Sequence, residues 1–343
     1  MTKTPAFTIK RIIRYYFQPS SALRMLRLSK QRIALWVGLT VSGLCLNSAW
    51  SYSPSIHGQL CDSAYGLLEE KQQRWLLGLL AWQHFPAQER KQHRRQFASF
   101  NTTSNAKGFK TAKQKQEKKL VPKQSIINYA CQRADFIKVR SQAPFTEISP
   151  SNRHRASSHY INLDKGEKRF DWSRICARQL CTTDALRHYI RRFLNTKDAN
   201  QRSAALGHTG HLLADLHQPM HVGFTEDRGG NRIKVYWRKH RKSTNLHRLW
   251  DGDLPWELDF DFAETKSGLL EYQDSYLEIW ARETFEAARD VAYRHPSGRS
   301  IRRGDRLGER YFKQVAKTAG ERMDLARRRI AGLWTWLYQQ SNE

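Results

Sequence analysis

Apolar positions recur at helical spacing along most of the chain. From Ser63 to Gln83 they fall at Leu67, Leu68, Trp75, Leu79 and Trp82, which predicts one amphipathic helix. A further helix is predicted from Ser125 to Val139, and two more over 184–194 and 202–217. The last of these must stop at Pro219, which cannot continue a helix. Gly229-Gly230-Asn231 then marks a tight turn. Ile233, Val235 and Trp237 alternate with polar residues in strand fashion. Asn245 to Asp251 is long enough for one or two helical turns. From Gly268 onward, two long helical stretches are separated by Pro296-Ser297-Gly298. The last is apolar at Tyr311, Val315, Leu325, Ile330, Leu333 and Leu337. The pattern predicts a mainly α protein, a single compact helical domain with a short β element, no internal repeat and no second domain with its own core.

Two segments depart from this pattern. The first 49 residues hold eight Lys or Arg and no acid, followed by an apolar run from Ile33 to Leu46 and then Asn47-Ser48-Ala49. A basic start, a short apolar stretch and a small residue form an export signal, too short for a comfortable membrane span. The expectation is a signal peptide over 1–49 and a mature domain over 50–343, with an uncleaved anchor as the alternative. Residues 86–123 carry eleven Lys or Arg against Glu89 and Glu117. This predicts a solvated basic insertion, and a phosphate-contacting role is one expectation for it.

The whole chain has 59 Lys plus Arg against 32 Asp plus Glu, a formal charge of +27 over 343 residues. Hydrophobic residues make up 39%, enough to exclude global disorder. The charge favours a polyanionic partner, either nucleic acid or an anionic surface, with plain solubility as the alternative. Of five cysteines, Cys45 lies in the predicted signal. Cys61, Cys131, Cys176 and Cys181 remain, an even number suited to an oxidising compartment. Cys176 and Cys181 are close enough in sequence for a small disulfide loop, with a thiolate metal pair as the competing reading. A bridge between Cys61 and Cys131 is a further expectation.

The densest chemical signal is His211-Leu-Leu-Ala-Asp215-Leu-His217-Gln-Pro-Met-His221. His211 and Asp215 are four apart and share one helix face, so they can grip one ion. His247 and Asp251 repeat that spacing. Imidazole and carboxylate ligands without thiolate suit zinc in a hydrolytic site. Either pair alone is common on a helix surface. Two such pairs flanking Gly229-Gly230-Asn231 are much less so.

At this point the segment from His211 to Asp251 resembles the S1/P1 nuclease family, in the phospholipase C/P1 nuclease superfamily. The His-Gln-Pro-Met-His run, the Gly-Gly-Asn loop, Asn245-Leu246-His247 and Trp250-Asp251 carry the likeness. Upstream, Ala134-Asp135 is similar to the family's Trp-Ala-Asp, with Arg133 in place of tryptophan. His159-Tyr160-Ile161-Asn162, Cys176 with Cys181, Trp50, and Leu307-Gly308 before Tyr311 also match, so the resemblance covers nearly all of 50–340.

The resemblance implies three zinc ions. Asp135, His159, His211 and Asp215 would hold the first. Asp215 would bridge to a second, completed by His57 and by the free α-amino nitrogen and carbonyl oxygen of Trp50. His221, His247 and Asp251 would hold the third. The implied activity is hydrolysis of single-stranded DNA and RNA by an in-line, metal-activated hydroxide, leaving 5′-phosphates, with 3′-nucleotidase activity beside it. Lys138 would face the phosphate, where the family usually has arginine. Tyr160 and Asn162 would contact the base, with Gly229, Gly230 and Asn231 as the opposite rim. His57 lies seven residues after Trp50, where the family typically places its histidine five after. His217 is expected behind the ligands and His208 in a structural role. The implied protein is secreted or periplasmic, monomeric, and without stable membrane association once the signal is gone. The rivals are a zinc phospholipase C on the same scaffold and a non-catalytic basic protein that binds nucleic acid or envelope.

Overall fold

The structure, a computed structural model, describes residues 53–92, 125–139, 158–166, 170–177, 180–258 and 268–342. The predicted signal, Trp50 and residues 93–123 of the basic insertion lie outside these. Helix α1 spans Pro54–Tyr65 and starts on a proline, whose missing N–H costs nothing in a first turn. It buries Ile56, His57, Leu60, Cys61 and Ala64. Helix α2 spans Glu70–Leu79. The single helix expected over 63–83 is therefore two. The chain breaks at Gly66, and Glu69 with Gln72 forms a capping box that starts α2 afresh. Of the expected positions Leu68 is buried and Leu67, Trp75 and Leu79 are half-buried against the core, while Leu76 and Leu80, outside the expected set, are fully buried.

Helix α3, Ala87–Gln92, corrects the start of the insertion. Its Glu89 accepts two hydrogen bonds from the buried Arg133 guanidinium at 2.8 and 3.0 Å, and one from the Tyr129 hydroxyl at 3.2 Å. Arg133 also lies over the Phe85 ring at 5.6 Å, so the residue standing in place of the family tryptophan docks this helix. Helix α4 spans Ile126–Val139, close to the expected bounds, with the Ser125 hydroxyl accepting from the Asn128 N–H at 3.0 Å. After α5, Trp172–Ala177, come α6, Thr182–Asn195, and α7, Ala199–His217. Asp198 caps α7 by accepting from the Gln201 N–H at 2.9 Å.

The α1, α4, α6 and α7 helices share one large apolar core with α11, Glu309–Gln340. Two disulfides reinforce it, Cys61–Cys131 between α1 and α4 and Cys176–Cys181 between α5 and α6. Gly210 on α7 sits against the first bridge, where an added Cβ would lie 2.8 Å from both sulfurs. The glycine lets α7 approach closely enough to place His211 beside the Cys131 carbonyl.

A second, smaller core gathers around a three-stranded sheet of order β2-β1-β3. Strand β1, Lys234–Trp237, pairs antiparallel with β2, Thr244–Asn245, in the register Lys234↔Asn245. It pairs in parallel with β3, Arg306–Leu307, in the register Tyr236↔Arg306. Val235 and Trp237 face inward, as the alternation predicts. From β2 the chain enters a helical turn α8, Leu246–Arg248, a π turn, Leu249–Asp253, and α9, Leu254–Glu257. Helix α10, Tyr276–Ala287, also ends in a π turn, Ala288–Ala292. No helix among the described residues is long and apolar enough to cross a membrane.

Candidate metal centre

Asp215 is the hub of the site. It sits on α7 with no exposure, and both carboxylate oxygens are occupied. Oδ2 lies 2.7 Å from His159 Nδ1 and 3.1 Å from His211 Nε2. Oδ1 lies 3.2 Å from His57 Nε2 and 3.3 Å from His221 Nδ1. Burial alone would raise the Asp215 pKa, but the surrounding His211, His221 and His57 hold it well below the usual carboxylate range. Burial, and then the neighbouring His211, push the His57 pKa down. The His57 and His211 rings stack with centroids 3.8 Å apart.

Among the described residues four groups of donors have ligand atoms within 4.8 Å of one another; one, Cys176/Cys181/Asp184, is closed by the disulfide between its cysteines, and three are built from His and Asp. These three are His57/His211/Asp215, Asp135/His159/His211 and His221/His247/Asp251. Asp135 reaches the second group from α4, with Oδ1 3.7 Å from His211 Nε2. In the third, His247 Nε2 lies 3.3 Å and His221 Nε2 3.5 Å from the Asp251 carboxylate. The π turn carries Asp251, and the His221 and His247 rings stack at 4.9 Å.

The outer contacts decide which way these rings face. His211 Nδ1 lies 2.9 Å from the Cys131 carbonyl, and His247 Nδ1 lies 2.7 Å from the Gly229 carbonyl. His221 Nδ1 is 2.7 Å from the His159 carbonyl. A carbonyl only accepts, so each Nδ1 carries the proton and each Nε2 presents a lone pair inward. This is how metal-binding imidazoles are oriented. Two ligand atoms about 2.0–2.1 Å from one tetrahedral zinc stand about 3.3 Å apart. Most of the nitrogen–oxygen separations above fall near that value. Three buried carboxylates, Asp135, Asp215 and Asp251, among inward lone pairs also form a negative centre that a cation would relieve. The residues fit a metal site.

A profile of the family described as S1/P1 Nuclease matches residues 102–339, more than half of the chain. The chain belongs to this family. It is 27% identical to Endonuclease 3 of Arabidopsis thaliana over 53% of this chain and 70% of that protein. It is 35% identical to Endonuclease 1 of the same plant over 28% of this chain and 34% of that protein. Against Nuclease S1 of Aspergillus oryzae the identity is 33% over 29% of this chain and 35% of that protein. The second and third alignments thus span about a third of those nucleases.

The S1/P1 match begins after His57, yet α1 brings this histidine onto Asp215. Lys138 lies on α4, but its side chain, like Trp50, is outside the described part. Ser53, three residues after Trp50, donates its N–H to the Asp251 carbonyl at 2.7 Å. Tyr160 and Asn162 are half-buried on a segment that runs beside the Met220 to Thr225 stretch. There the Ile161 N–H donates to the His221 carbonyl at 2.7 Å.

Gly229 and Gly230 are buried at φ of 60° and 82°, a region other residues reach only with strain. A Cβ on Gly229 would meet the Met220 carbonyl oxygen at 2.2 Å. In this structure the glycines carry the carbonyl that orients His247. Asn231 donates from its side chain to the Arg228 carbonyl at 3.0 Å. The loop is anchored by Asp227, whose Oδ1 accepts from the Gly230 N–H at 2.6 Å and the Tyr293 hydroxyl at 2.8 Å. Gln218 donates to Asp251 and accepts from the Met220 N–H. Sequence reasoning passed over both. The Asp two residues before Gly229-Gly230 is the available signal, as is a glutamine between two histidines.

His217 is not behind the ligands. On α7 it lies two residues past Asp215, roughly 200° around the helix. It accepts from Arg329 at 2.8 Å and donates to the Leu213 carbonyl. His208 is structural, stacked on Tyr189 at 4.3 Å with Nδ1 on the Ala204 carbonyl.

Proposed function

We propose that this chain is an exported zinc-dependent endonuclease. It hydrolyses phosphodiester bonds of single-stranded DNA and RNA to 5′-phosphate products and also releases 3′-phosphate from nucleotides. The observation that carries this is the set of three converging His/Asp groups joined through Asp215. Such a set matches the family's need for several neighbouring ions. Bound zinc would acidify a water to near-neutral pKa and offset charge on the departing oxygen.

The chain's own residues set the geometry. Asp215 offers one oxygen to the His57 side and the other to the Asp135/His159/His211 side, so it would bridge two ions. Trp50, freed by removal of 1–49, would complete the His57 side with its α-amino nitrogen and carbonyl oxygen. The Ser53 contact with Asp251 supports this, because it ties the nearby chain to the site. His221, His247 and Asp251 would hold the third ion. Lys138 would neutralise the scissile phosphate. Tyr160 and Asn162 would receive an unpaired base by stacking and hydrogen bonding, which gives the single-strand preference. Gly229, Gly230 and Asn231 would form the facing rim.

The test is zinc content with turnover on single-stranded DNA, duplex DNA and phosphatidylcholine, using protein that starts at Trp50. The expected result is about three zinc ions per chain, cleavage of the single strand, and 5′-phosphate ends. Turnover of the lipid alone, or zinc without any turnover, would overturn the reading. Protein retaining residues 1–49 should bind fewer ions, since its Trp50 nitrogen is an amide.

A further inference from the structure

The sheet beside the third donor group has an outward face of unusual character. Lys234 is exposed and Tyr236 half-buried on the side of β1 opposite Val235 and Trp237. Arg306 of β3 pairs with Tyr236 in register, and its guanidinium lies over the Tyr236 ring at 4.9 Å. Arg302 and Arg303 come next to Lys234, because the Gly304 N–H donates to the Lys234 carbonyl at 2.8 Å. At the other end of β1 the chain turns through Lys239, Arg241 and Lys242, all exposed.

Among the described residues, three acids near this face, Glu257, Glu309 and Asp305, are engaged by other arginines, while Asp253 lies near His240 of the hairpin. Arg238 pairs with both Glu257 and Glu309 at 2.6 Å, and Arg299 pairs with Asp305 at 2.7 Å. Lys234, Lys239, Arg241, Lys242, Arg302, Arg303 and Arg306 surround one half-exposed tyrosine, and although Arg238 balances only one of its two glutamates the face keeps a clear positive excess. The arrangement also has a direction. Lys234 pairs with Asn245, two residues before His247, so this end abuts the His221/His247/Asp251 group. The hairpin tip lies four residues further along β1, about 13 Å at strand spacing.

We propose that this face is a track for the phosphate backbone of single-stranded nucleic acid, leading away from the third donor group, with Tyr236 and Arg306 as a stacking platform. A row of cations interleaved with an aromatic ring is the chemistry that holds single strands without reading their sequence. The inference rests on the nuclease reading for the polarity of the track. It does not rest on that reading for the binding itself.

The test compares the wild type with a Lys239→Glu/Arg241→Glu/Lys242→Glu variant and with an Arg191→Glu/Lys197→Glu control on α6 and its exit, where both positions are exposed. The probe is a hydrolysis-resistant phosphorothioate oligothymidylate of twelve nucleotides, titrated from 50 to 200 mM salt. Each lost phosphate contact removes about 0.7 from the salt slope. Three lost contacts mean that the variant's affinity falls about 18-fold less than the wild type's over this range. The control should keep the wild-type slope. Hydrolysis of a dinucleotide should change less than hydrolysis of the long strand. Equal slopes in wild type and track variant would overturn the track, while normal dinucleotide turnover in both would leave the nuclease reading standing. A reduced slope in a protein that hydrolyses nothing would support the track and sink that reading instead. Loss of binding to phosphatidylserine vesicles with oligonucleotide binding intact would overturn the track in favour of a membrane surface.

Discussion

The donor groups are built in two different ways. Asp135, His57, His211 and Asp215 stand on three long helices that share the larger core and a disulfide. His221, His247 and Asp251 stand on a 3₁₀ turn, a single helical turn and a π turn, none longer than five residues. Helices fix ligands through packing, which is distributed over many side chains and resists single changes. Short turns fix them through a few hydrogen bonds to carbonyls and amides, which single changes can break. The first half is therefore expected to fail globally, by unfolding, and the second locally, by loss of one ion's geometry.

The sharpest break is at Asp215, the hub of the helical half, which would bridge its two ions. Asp215→Asn should disturb two ions at once and abolish turnover. Losing several kcal/mol of charge stabilisation corresponds to at least about a thousandfold in kcat. Metal analysis of the folded variant should show fewer ions per chain, and wild-type turnover there would refute the shared-hub geometry. Next comes the packing of the same half. Opening Cys61–Cys131, 70 residues apart in sequence, by Cys61→Ala/Cys131→Ala should cost about 4 kcal/mol. Opening Cys176–Cys181, which spans only 5, should cost about 2 kcal/mol. Denaturant unfolding measures both, and an equal loss would mean the bridges do not act through loop closure.

The local half has its own lever in Asp227. Asp227→Ala removes the acceptor that holds Gly230 and Tyr293, and so loosens the carbonyl that orients His247. Support of this kind is worth about 10- to 100-fold in metal affinity or activity. Tyr293→Phe should show a smaller loss in the same direction. Unfolding midpoints should move little in either variant. A large fall in stability with normal metal affinity would place Asp227 in the fold rather than the site.

The two halves were also unequally legible in the sequence. Helices α4, α6 and α7 follow from apolar periodicity, and the His/Asp spacing of four follows from the helix repeat, so the donor pair His211 and Asp215 that α7 brings together could be read directly. Strand β3 is two residues long and pairs in parallel with β1 far away in sequence, so no local pattern announces it. The break between α1 and α2 was hidden because its apolar residues continue across Gly66, and the capping box there uses Glu69 where Ser or Thr is usual. Glu89 looked like one acid in a solvated basic stretch. Its partner Arg133 is 44 residues on, and only packing reveals the pair. Gln218 and Asp227 act by hydrogen bonds across turns, which spacing alone does not encode.

The smallest expected effect separates the halves by pH. His208 is buried between α6 and α7, and burial pushes its pKa down to about 3. The unfolded chain protonates the same ring near its ordinary value of about 6.5. Between these values the unfolded state binds more protons, so stability falls as pH falls. The loss begins near pH 6.5 and continues toward pH 3. From pH 7 to pH 5.5 it amounts to about 1 kcal/mol for this one group. His217 adds to it in the same direction, since burial and then Arg329 and Arg322 also hold its pKa well below the ordinary value. Both histidines belong to the helical half, whereas His240 and His295 in the other half are more accessible. Mild acid should therefore speed amide exchange in α6 and α7 before it does so in the sheet. His208→Phe keeps a ring against Tyr189 and removes the titration. With zinc held constant, its stability should fall less between pH 7 and 5.5 than that of the wild type. Equal pH slopes in the two proteins would mean that His208 is already protonated in the folded state, and that the helical half does not depend on a neutral imidazole at this position.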